Sequence, residues 1–339
     1  MITGIEMKHK SLSQQNHWQP LLAQAIRDPE ALIDYLELPK KPFYNVLQAH
    51  KNHQLLAPLG YLDKIQKGNW DDPLLKQILP SEEEILEVKG YVSDPVGDLD
   101  ASLASGILQK YHGRALIITT GTCAVHCRYC FRKEYPYSEA KPASNNWQQV
   151  VEAISKDSSL HEIILSGGDP LILSDQRLSS LCQQLAAIPH VHTLRFHSRL
   201  PVVLPQRIDT DFLRWFSALP VKKVVVIHAN HANEIDALVG DKLRALAATG
   251  AIVLNQSVLL KGVNDSVEAL ENLSQQLFHY QTLPYYLHLL DKVIGTAHFD
   301  IPQQQALVLM EQLRNRLPGY LVPKLVREVS GKRSKSPIV

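Results

Sequence analysis

Three closely spaced cysteines are the feature that most constrains this chain. Cys123, Cys127 and Cys130 lie in the run TCAVHCRYCFR, spaced CxxxCxxC, directly after an apolar segment typical of a β-strand. Cysteine thiolates favour iron–sulfur clusters or zinc, but a structural zinc site usually takes four ligands in two separated pairs. A single tight triplet instead suggests an iron–sulfur cluster with one iron left open. Cys182 is the only other cysteine in 339 residues, so three incidental thiols explain this spacing poorly.

The composition restricts the partners and the location of the chain. Its 35 Lys and Arg residues nearly balance its 34 Asp and Glu residues, and a formal charge of +1 argues against electrostatic binding to nucleic acid or to an acidic membrane. No apolar stretch approaches the roughly 20 residues that span a bilayer, and the N-terminus MITGIEMKHKSLSQQNHW lacks the apolar core of a secretion signal. We therefore expect a cytoplasmic protein, in which a tight cluster of reduced thiols is metal-binding or catalytic and does not form a disulfide framework.

Short apolar runs alternate with helical patterns from Arg114 onward. The strand-like runs are Ala115–Thr119, Glu162–Leu165, Thr193–Phe196, Lys223–Ile227, Ile252–Gln256 and Pro284–Leu289. The helical patterns are Trp147–Ser155, Asp175–Ala187, Asp211–Leu219, Glu234–Thr249 and Ser266–Tyr280. Strands too apolar to face water on either side predict a parallel sheet covered by helices, which makes the chain an α/β protein with a partial (β/α)6 TIM-like barrel.

The regions on either side of the barrel have different patterns. Up to about Leu99, short amphipathic stretches broken by prolines predict a helical N-terminal region. We expect three parts: an N-terminal helical region over 1–105, the barrel over 106–300, and a C-terminal helix with a short terminal segment over 301–339.

Polar motifs follow all six predicted strands. In chain order they are the cysteine loop, Ser166–Pro170, His197–Arg199, His228–His231, Gln256 with Ser257, and Asp291. The chemistry of parallel α/β sheets gathers where the strands end at their carboxyl edge. We therefore expect a single barrel mouth to hold all of these motifs.

Several segments together resemble one family. They are CRYCFR, LSGGDPL, RLPVVLPQRI, NQSVLLKGVND and PYYLHLLDKV. Their order and spacing resemble the radical S-adenosylmethionine (SAM) enzymes and, more closely, the lysine 2,3-aminomutases of the short bacterial branch that makes β-lysine for elongation factor P. The resemblance runs from about Tyr111 to the C-terminus and extends to the helical N-terminal region. It implies an isomerase that converts free L-lysine to (R)-β-lysine for a lysyl ligase acting on elongation factor P, with an external one-electron reductant.

The resemblance implies two cofactors at the cysteine loop. Cys123, Cys127 and Cys130 would ligate a [4Fe–4S] cluster whose open iron is chelated by SAM. Reductive cleavage of SAM gives a radical that abstracts hydrogen from an unactivated carbon, which side-chain acids and bases cannot do. Gly167 and Gly168 would let the backbone approach SAM closely, because they lack a Cβ. The other positions that resemble cofactor contacts are Asp169, His228 and Gln256, and for the last two an ordinary polar strand end is the alternative.

A third cofactor follows from the chemistry of amino migration. The moving nitrogen must become part of a π-system, and pyridoxal phosphate (PLP) supplies the imine that does this, while a lysine of the protein must hold PLP at rest. The terminal run SGKRSKSPIV resembles the segment that carries this lysine, with Lys335 at the matching position in preference to Lys332. A disordered basic tail is what the composition alone would favour. Arg114 resembles a contact to the PLP phosphate, and Lys110 does so less closely.

The two charged ends of lysine suggest how the substrate is recognised. Arg132 resembles the residue that binds the α-carboxylate, where a guanidinium can bond both oxygens. Asp291 and Glu328 would face the ε-ammonium and discriminate against uncharged amino acids, because a buried unpaired carboxylate is unfavourable. The catabolic lysine enzymes carry aspartate where this chain has Glu328. They also have a long extension after the PLP lysine that helps them assemble, so we expect a smaller homo-oligomer or a different interface here.

Alternative functions stay open from the sequence. An aminomutase for arginine or glutamate is the nearest, although two carboxylates would repel the side chain of glutamate. A non-catalytic iron–sulfur sensor or scaffold would have the same cysteine loop but no need for a PLP lysine. A structural zinc protein is the third alternative. Cys182 lies among leucines and is expected in the core.

Overall fold

Residues 18–39, 44–104, 106–137 and 147–339 are described by a computed structural model. One sheet of ten strands organises these residues, and its strands follow one another in chain order. The strands are β1 Ser102–Ala104, β2 Ile107–Tyr111, β3 Arg114–Thr120, β4 Glu162–Gly167, β5 Thr193–Ser198, β6 Lys222–Ile227, β7 Ile252–Val258, β8 Leu283–His288, β9 Lys324–Arg327 and β10 Ser336–Pro337. Neighbours from β3 to β9 are parallel, whereas β1–β2, β2–β3 and β9–β10 are antiparallel.

Helices connect the parallel strands and precede the sheet. They are α1 Trp18–Ala23, α2 Pro29–Tyr35, α3 Tyr44–Asn52, α4 Leu59–Leu62, α5 Trp147–Lys156, α6 Asp175–Ala186, α7 Leu200–Val203, α8 Thr210–Ser217, α9 Ala237–Ala248, α10 Val267–His279 and α11 Gln303–Arg316. Their starts are set by side-chain caps: Ser174, Asp209 and Asp236 each accept a hydrogen bond from the backbone N–H three residues later, at the first turns of α6, α8 and α9. No helix in the described ranges is long and apolar enough to cross a membrane.

The six predicted strand–helix repeats are confirmed as β3 to β8 with their helices. Two features were not predicted. A hairpin, β1–β2, pairs with β3 on one side, and on the other side the parallel strand β9 and then the antiparallel strand β10 continue the sheet from β8. Both strands at the outer edges are very short, at 3 residues for β1 and 2 for β10, too short for a hydrophobic period to show.

The N-terminal helices are packed on the barrel and share its core. Leu32 and Tyr61 belong to the same buried cluster as Ile117 on β3 and Phe196 on β5. Each such fully buried large side chain stabilises the fold by about 1.5–3 kcal/mol relative to exposure. Cys182 on α6 is fully buried in this cluster, as predicted. The N-terminal region therefore forms part of the structure that supports the strand ends.

Candidate functional site

A cavity of about 350 Å³ opens at the carboxyl ends of the parallel strands. All residues that the sequence analysis singled out for the site line it, so the prediction that one mouth holds them is confirmed. They are Lys110, Arg114, Cys123, Cys127, Cys130, Arg132, Gly167, Gly168, Asp169, His228, Gln256, Asp291, Glu328 and Lys335. Their proximity is observed, whereas their individual roles stay predictions.

The cysteine loop is anchored by the N-terminal region. Arg128, between two of the cysteines, is fully buried, and its guanidinium donates to both carboxylate oxygens of Glu84 at 2.8 and 2.6 Å. The same guanidinium donates to the carbonyl of His53 at 2.5 Å, and the backbone N–H of Arg128 donates to the carbonyl of Gln77 at 2.9 Å. A bidentate buried pair of this kind fixes both position and orientation. Residues of the N-terminal region thus hold the cysteine loop in place.

The thiols of the loop suit an iron–sulfur cluster. Three cysteines line the cavity, and the fourth cysteine of the described chain, Cys182, lies in the core of α6. Burial raises the pKa of the Cys123 thiol and raises that of Cys130 to about 11, so neither would ionise readily without a bound metal. Soft sulfur donors from one loop, with no fourth protein thiol beside them, fit a cluster that keeps one iron open.

Gly167 and Gly168 form the turn that lies against the cysteine loop. Gly167 has φ +115°, a conformation that favours glycine, and a Cβ there would lie 2.7 Å from the carbonyl oxygen of Thr120. A Cβ on Gly168 would lie 2.3 Å from the carbonyl oxygen of Thr122. The close approach of two backbone segments is therefore enough to explain glycine at both positions. Their approach to SAM stays a prediction.

Asp169 joins two of the loops at the mouth. It is buried, and its carboxylate accepts hydrogen bonds from the hydroxyl of Ser198 at 2.7 Å and from the backbone N–H groups of Leu171, Arg199 and Leu200 at 3.0, 2.8 and 3.1 Å. Burial raises the pKa of this carboxyl, although these bonds favour the ionised form. Asp169 thus ties the turn after β4 to the turn after β5.

A chain of alternating charges crosses one side of the cavity. Asp98 receives the Arg132 Nε–H at 2.6 Å on one oxygen and Lys110 Nζ at 2.6 Å on the other. Lys110 also lies 3.9 Å from Glu328, which accepts a hydrogen bond from Lys335 Nζ at 2.8 Å and another from the hydroxyl of Tyr111. The chain links the predicted carboxylate-binding arginine to the predicted PLP lysine.

Asp98 is the central anion of this chain and was missed by sequence reasoning. It is 2% exposed. Burial alone would raise the pKa of its carboxyl, but Arg132 and Lys110 lower the pKa to about 2 and keep the group ionised. The residue lies in the turn SDPVGD, where an acidic residue is ordinary. No pattern in the sequence distinguishes it from Asp94 or Asp100.

Lys335 reaches the cavity because the terminal run is a paired strand. Ser336 pairs with Arg327 and Pro337 with Val326, which brings Lys335 beside Glu328. The ammonium of Lys335 also lies 5.9 Å from the ring of Tyr286. The free basic tail that composition alone favours is therefore not what the structure contains.

Three further cavity groups lack a polar or charged partner among the described residues. Burial raises the pKa of Asp291 to about 7, partly opposed by the positive charge of Lys335. The buried Nε–H of Arg114, at the start of β3, and the buried Nε2 of His197 have no hydrogen-bond partner within the described residues. A carboxyl that lacks a strong cationic partner suits an incoming ammonium, and an orphan guanidinium donor suits a phosphate. The residues present therefore fit both PLP and a basic substrate.

Two polar contacts that the sequence did not predict also reach the cysteine loop. The guanidinium of Arg199, after β5, donates to Cys127 Sγ at 2.7 Å and to Glu234 at 2.9 Å. The hydroxyl of Tyr129 lies 2.8 Å from His228 Nε2. Burial and the charge of Arg199 lower the pKa of His228 to about 3, so this imidazole is neutral. Arg199 belonged to a motif noted in the sequence, but its partner Glu234 is 35 residues away and gave no signal.

Comparison with known proteins agrees with this geometry. A family model described as a 4Fe-4S single cluster domain matches residues 112–193. The chain is 42% identical to the L-lysine 2,3-aminomutase of Haemophilus influenzae, over 96% of each protein, and 43% identical to that of Escherichia coli, over 95% of this chain and 94% of the relative. The chain belongs to the L-lysine 2,3-aminomutase family. The L-lysine 2,3-aminomutase of Clostridium subterminale is more distant, at 32% identity over 96% of this chain and 78% of that protein.

Membership of the lysine 2,3-aminomutases confirms the resemblance found in the motifs. It identifies the chain as an isomerase of a radical SAM family with a 4Fe-4S domain. A structural zinc protein and a non-catalytic scaffold are therefore no longer needed to explain the cysteine loop. The position of each aminomutase site candidate in one cavity is what such an enzyme requires.

Proposed function

We propose that this chain converts free L-lysine to β-lysine by moving the amino group from C2 to C3. The observation that carries the proposal is the charged chain from Arg132 to Lys335, set in the same cavity as the three cysteines. It offers a cation at one end of the cavity and carboxylates at the other. Those are the groups that a substrate with a carboxylate and a distal ammonium needs.

The cluster side of the cavity would be built by the cysteine loop and the turns beside it. Cys123, Cys127 and Cys130 would hold a [4Fe–4S] cluster, and Gly167 and Gly168 lie against the backbone of Thr120 and Thr122, directly before these cysteines. The remaining SAM contacts in this proposal come from Asp169, His228 and Gln256. SAM bound on this side would supply the radical that removes hydrogen from an unactivated carbon. The neutral His228, bonded to Tyr129, offers a polar contact that carries no charge.

The PLP side would be held by Lys335 and Arg114. PLP supplies the π-system through which nitrogen can move between adjacent carbons. Arg114 is the better phosphate contact of the two cations predicted for this role, because its Nε–H lacks a partner within the described residues whereas Lys110 is bonded to Asp98. Lys110 would then have a structural role, because its ammonium lies between the carboxylates of Asp98 and Glu328.

Substrate recognition would use both ends of the charged chain. Asp98 and Ser166 take two of the N–H groups of Arg132 and fix its orientation, and a guanidinium has five such donors. At the other end, Lys335 Nζ already places an ammonium 2.8 Å from Glu328. We infer that the ammonium of an incoming substrate takes this place while Lys335 holds PLP at rest. Asp291 would provide the second carboxylate.

The biological setting is part of the proposal. We propose a cytoplasmic enzyme that forms the (R) enantiomer and delivers it to a lysyl ligase acting on elongation factor P. An external one-electron reductant would reduce the cluster. The chain would form a small homo-oligomer and would have no nucleic acid or membrane partner. The division into 1–105, 106–300 and 301–339 stays a proposal as well.

An anaerobic product assay tests the proposed reaction. The full chain is reconstituted with iron and sulfide, and then incubated with L-lysine, SAM, PLP and dithionite. Chiral chromatography with mass spectrometry should detect (R)-β-lysine, and arginine or glutamate in equal amounts should be left unchanged. If the protein carries a full cluster and PLP but forms no β-lysine, the proposal is wrong. Preferential conversion of arginine or glutamate would instead support the alternative aminomutases.

A further inference from the structure

Arg199 places a buried cation against one of the cluster cysteines. It caps the short helix α7 after β5, and its side chain is 7% exposed. Nη1 lies 2.7 Å from Cys127 Sγ. Because a cluster bound here would make this sulfur a thiolate ligand, the contact becomes a charge-assisted hydrogen bond to the cluster.

The guanidinium of Arg199 is held by a second set of buried groups. Nη2 donates to Gln77 Oε1 at 2.7 Å and to Glu234 Oε2 at 2.9 Å. Glu234 and Gln77 are both fully buried and bonded to each other at 3.2 Å. Glu234 also accepts the backbone N–H of Asn230 at 2.7 Å. Arg199 therefore cannot turn away from the sulfur without breaking several buried bonds.

The surroundings of Arg199 strengthen its electrostatic effect. Its guanidinium carbon lies 5.6 Å from the ring centres of both Tyr61 and Tyr129, which are buried. Aromatic walls exclude water, and charges in a dry site interact more strongly than they do in solvent. The negative charge of Glu234 offsets part of the field, so the arginine and the glutamate act on the cluster in opposite directions.

We propose that Arg199 raises the reduction potential of the cluster and that the carboxylate of Glu234 partly offsets this increase. Reduction adds one electron to the cluster, so a nearby cation and a hydrogen bond to a ligand sulfur stabilise the reduced form. This inference rests on the cluster-binding part of the proposed function and on no step involving lysine. Arg199 would thus determine how readily the cluster accepts an electron from the external reductant.

The test is a potentiometric titration of the reconstituted full chain, without SAM, PLP or lysine. The reduced cluster is followed by electron paramagnetic resonance as dithionite and redox mediators set the potential. Arg199→Gln should shift the midpoint to a more negative value, with about a tenfold lower ratio of reduced to oxidised cluster at the midpoint of the unmodified protein. Glu234→Gln should shift it the other way, and Arg199→Lys should fall between.

A matched control is offered by Arg195, which also lines the cavity. Its guanidinium is bonded to Glu162 at 2.6 Å instead of to a cysteine. Arg195→Gln should therefore move the midpoint much less than Arg199→Gln. Iron and sulfide are quantified for every variant, so a change in potential is separated from a loss of cluster.

Two outcomes would overturn this inference. One is an unchanged midpoint in Arg199→Gln with a full cluster, and the other is a shift of Arg199→Gln and Glu234→Gln in the same direction, as a merely structural role would give. If Arg199→Gln does not retain its iron, the shift in Glu234→Gln, which keeps the arginine, decides the question. A normal titration in a protein that forms no β-lysine would leave this inference standing while the proposed reaction fails.

Discussion

Lys335 donates to Glu328 at 2.8 Å across the pair formed by β9 and β10. The contact places an ammonium on an acidic residue within the cavity that also contains the three cysteines. It gives Glu328 a cationic partner and lowers the pKa of its carboxyl against the opposing effect of burial. The same carboxylate is then available for a second ammonium once Lys335 is covalently engaged.

Substitution of Glu328 tests this exchange. Glu328→Gln should raise the KM for lysine by about 30-fold or more, since a buried charged pair loses one partner. Glu328→Asp keeps the charge and should have a much smaller effect. Steady-state kinetics with saturating SAM and PLP measure both. Equal KM values for the two variants would show that the charge of Glu328 does not bind lysine.

Asp98 should matter to substrate binding because its carboxylate pairs with both Arg132 and Lys110. Asp98→Asn removes the charge that orients Arg132 and Lys110, so we expect KM to rise about tenfold or more with a smaller fall in kcat. The same substitution at Asp100, which is exposed, is the matched control. A fall in kcat at unchanged KM would contradict a role in positioning Arg132.

The affinity for lysine should depend on pH near neutrality. Asp291 has a pKa of about 7 because of its burial, and only its ionised form pairs with an ammonium. Raising the pH from 6 to 8 should therefore lower the KM. In Asp291→Asn this dependence should disappear and the KM should be high throughout. A KM profile of the unmodified protein that is flat over this range would contradict the assignment.

The same group should destabilise the protein when no ligand is bound. The pKa of Asp291 is raised from about 3.9 in an unfolded chain to about 7 in the fold. The penalty is absent below the unfolded pKa, grows as the pH rises through the interval, and is complete above the folded pKa. Asp291→Asn should thus raise the Tm of the ligand-free protein more at pH 8 than at pH 5. Thermal unfolding at the two pH values measures the difference, and an equal gain would contradict it.

The pair formed by Arg128 and Glu84 should decide how well the cysteine loop is held. Glu84→Gln leaves a buried guanidinium without its counter-charge, which costs about 3–5 kcal/mol. We expect a lower Tm and less iron retained after reconstitution. The same substitution at Glu152 on α5 is the control, because that residue is exposed. Full iron retention in Glu84→Gln would show that the N-terminal region is not needed to fix the loop.

The sequence was most informative where hydrophobic pattern or rare residues carry the signal. The run Lys223–Ile227 is apolar enough to predict a buried strand, and the structure has β6 there over Lys222–Ile227. The cysteine motif could likewise be recognised from the sequence alone, because cysteine is rare in this chain. The resemblance then supplied Lys335, which composition alone would have assigned to a free tail.

The unpredicted part of the site is polar and long-range. Asp98 meets Arg132 34 residues away, and Glu84 meets Arg128 44 residues away. A single buried charge leaves no periodic pattern in the sequence, and its partner is determined by the tertiary fold and not by neighbouring residues. The same reason hides Glu234 and Gln77, the partners of Arg199, because these contacts exist only after three separate segments meet.

The central claim is that the terminal strand carries the PLP lysine into the cavity of the cysteines. Borohydride reduction of the PLP-loaded protein, followed by peptide mass spectrometry, locates the attachment site directly. We predict that Lys335 carries the label and that Lys335→Ala loses the reducible absorption band. Attachment at Lys332 or at a lysine outside the cavity would contradict the account.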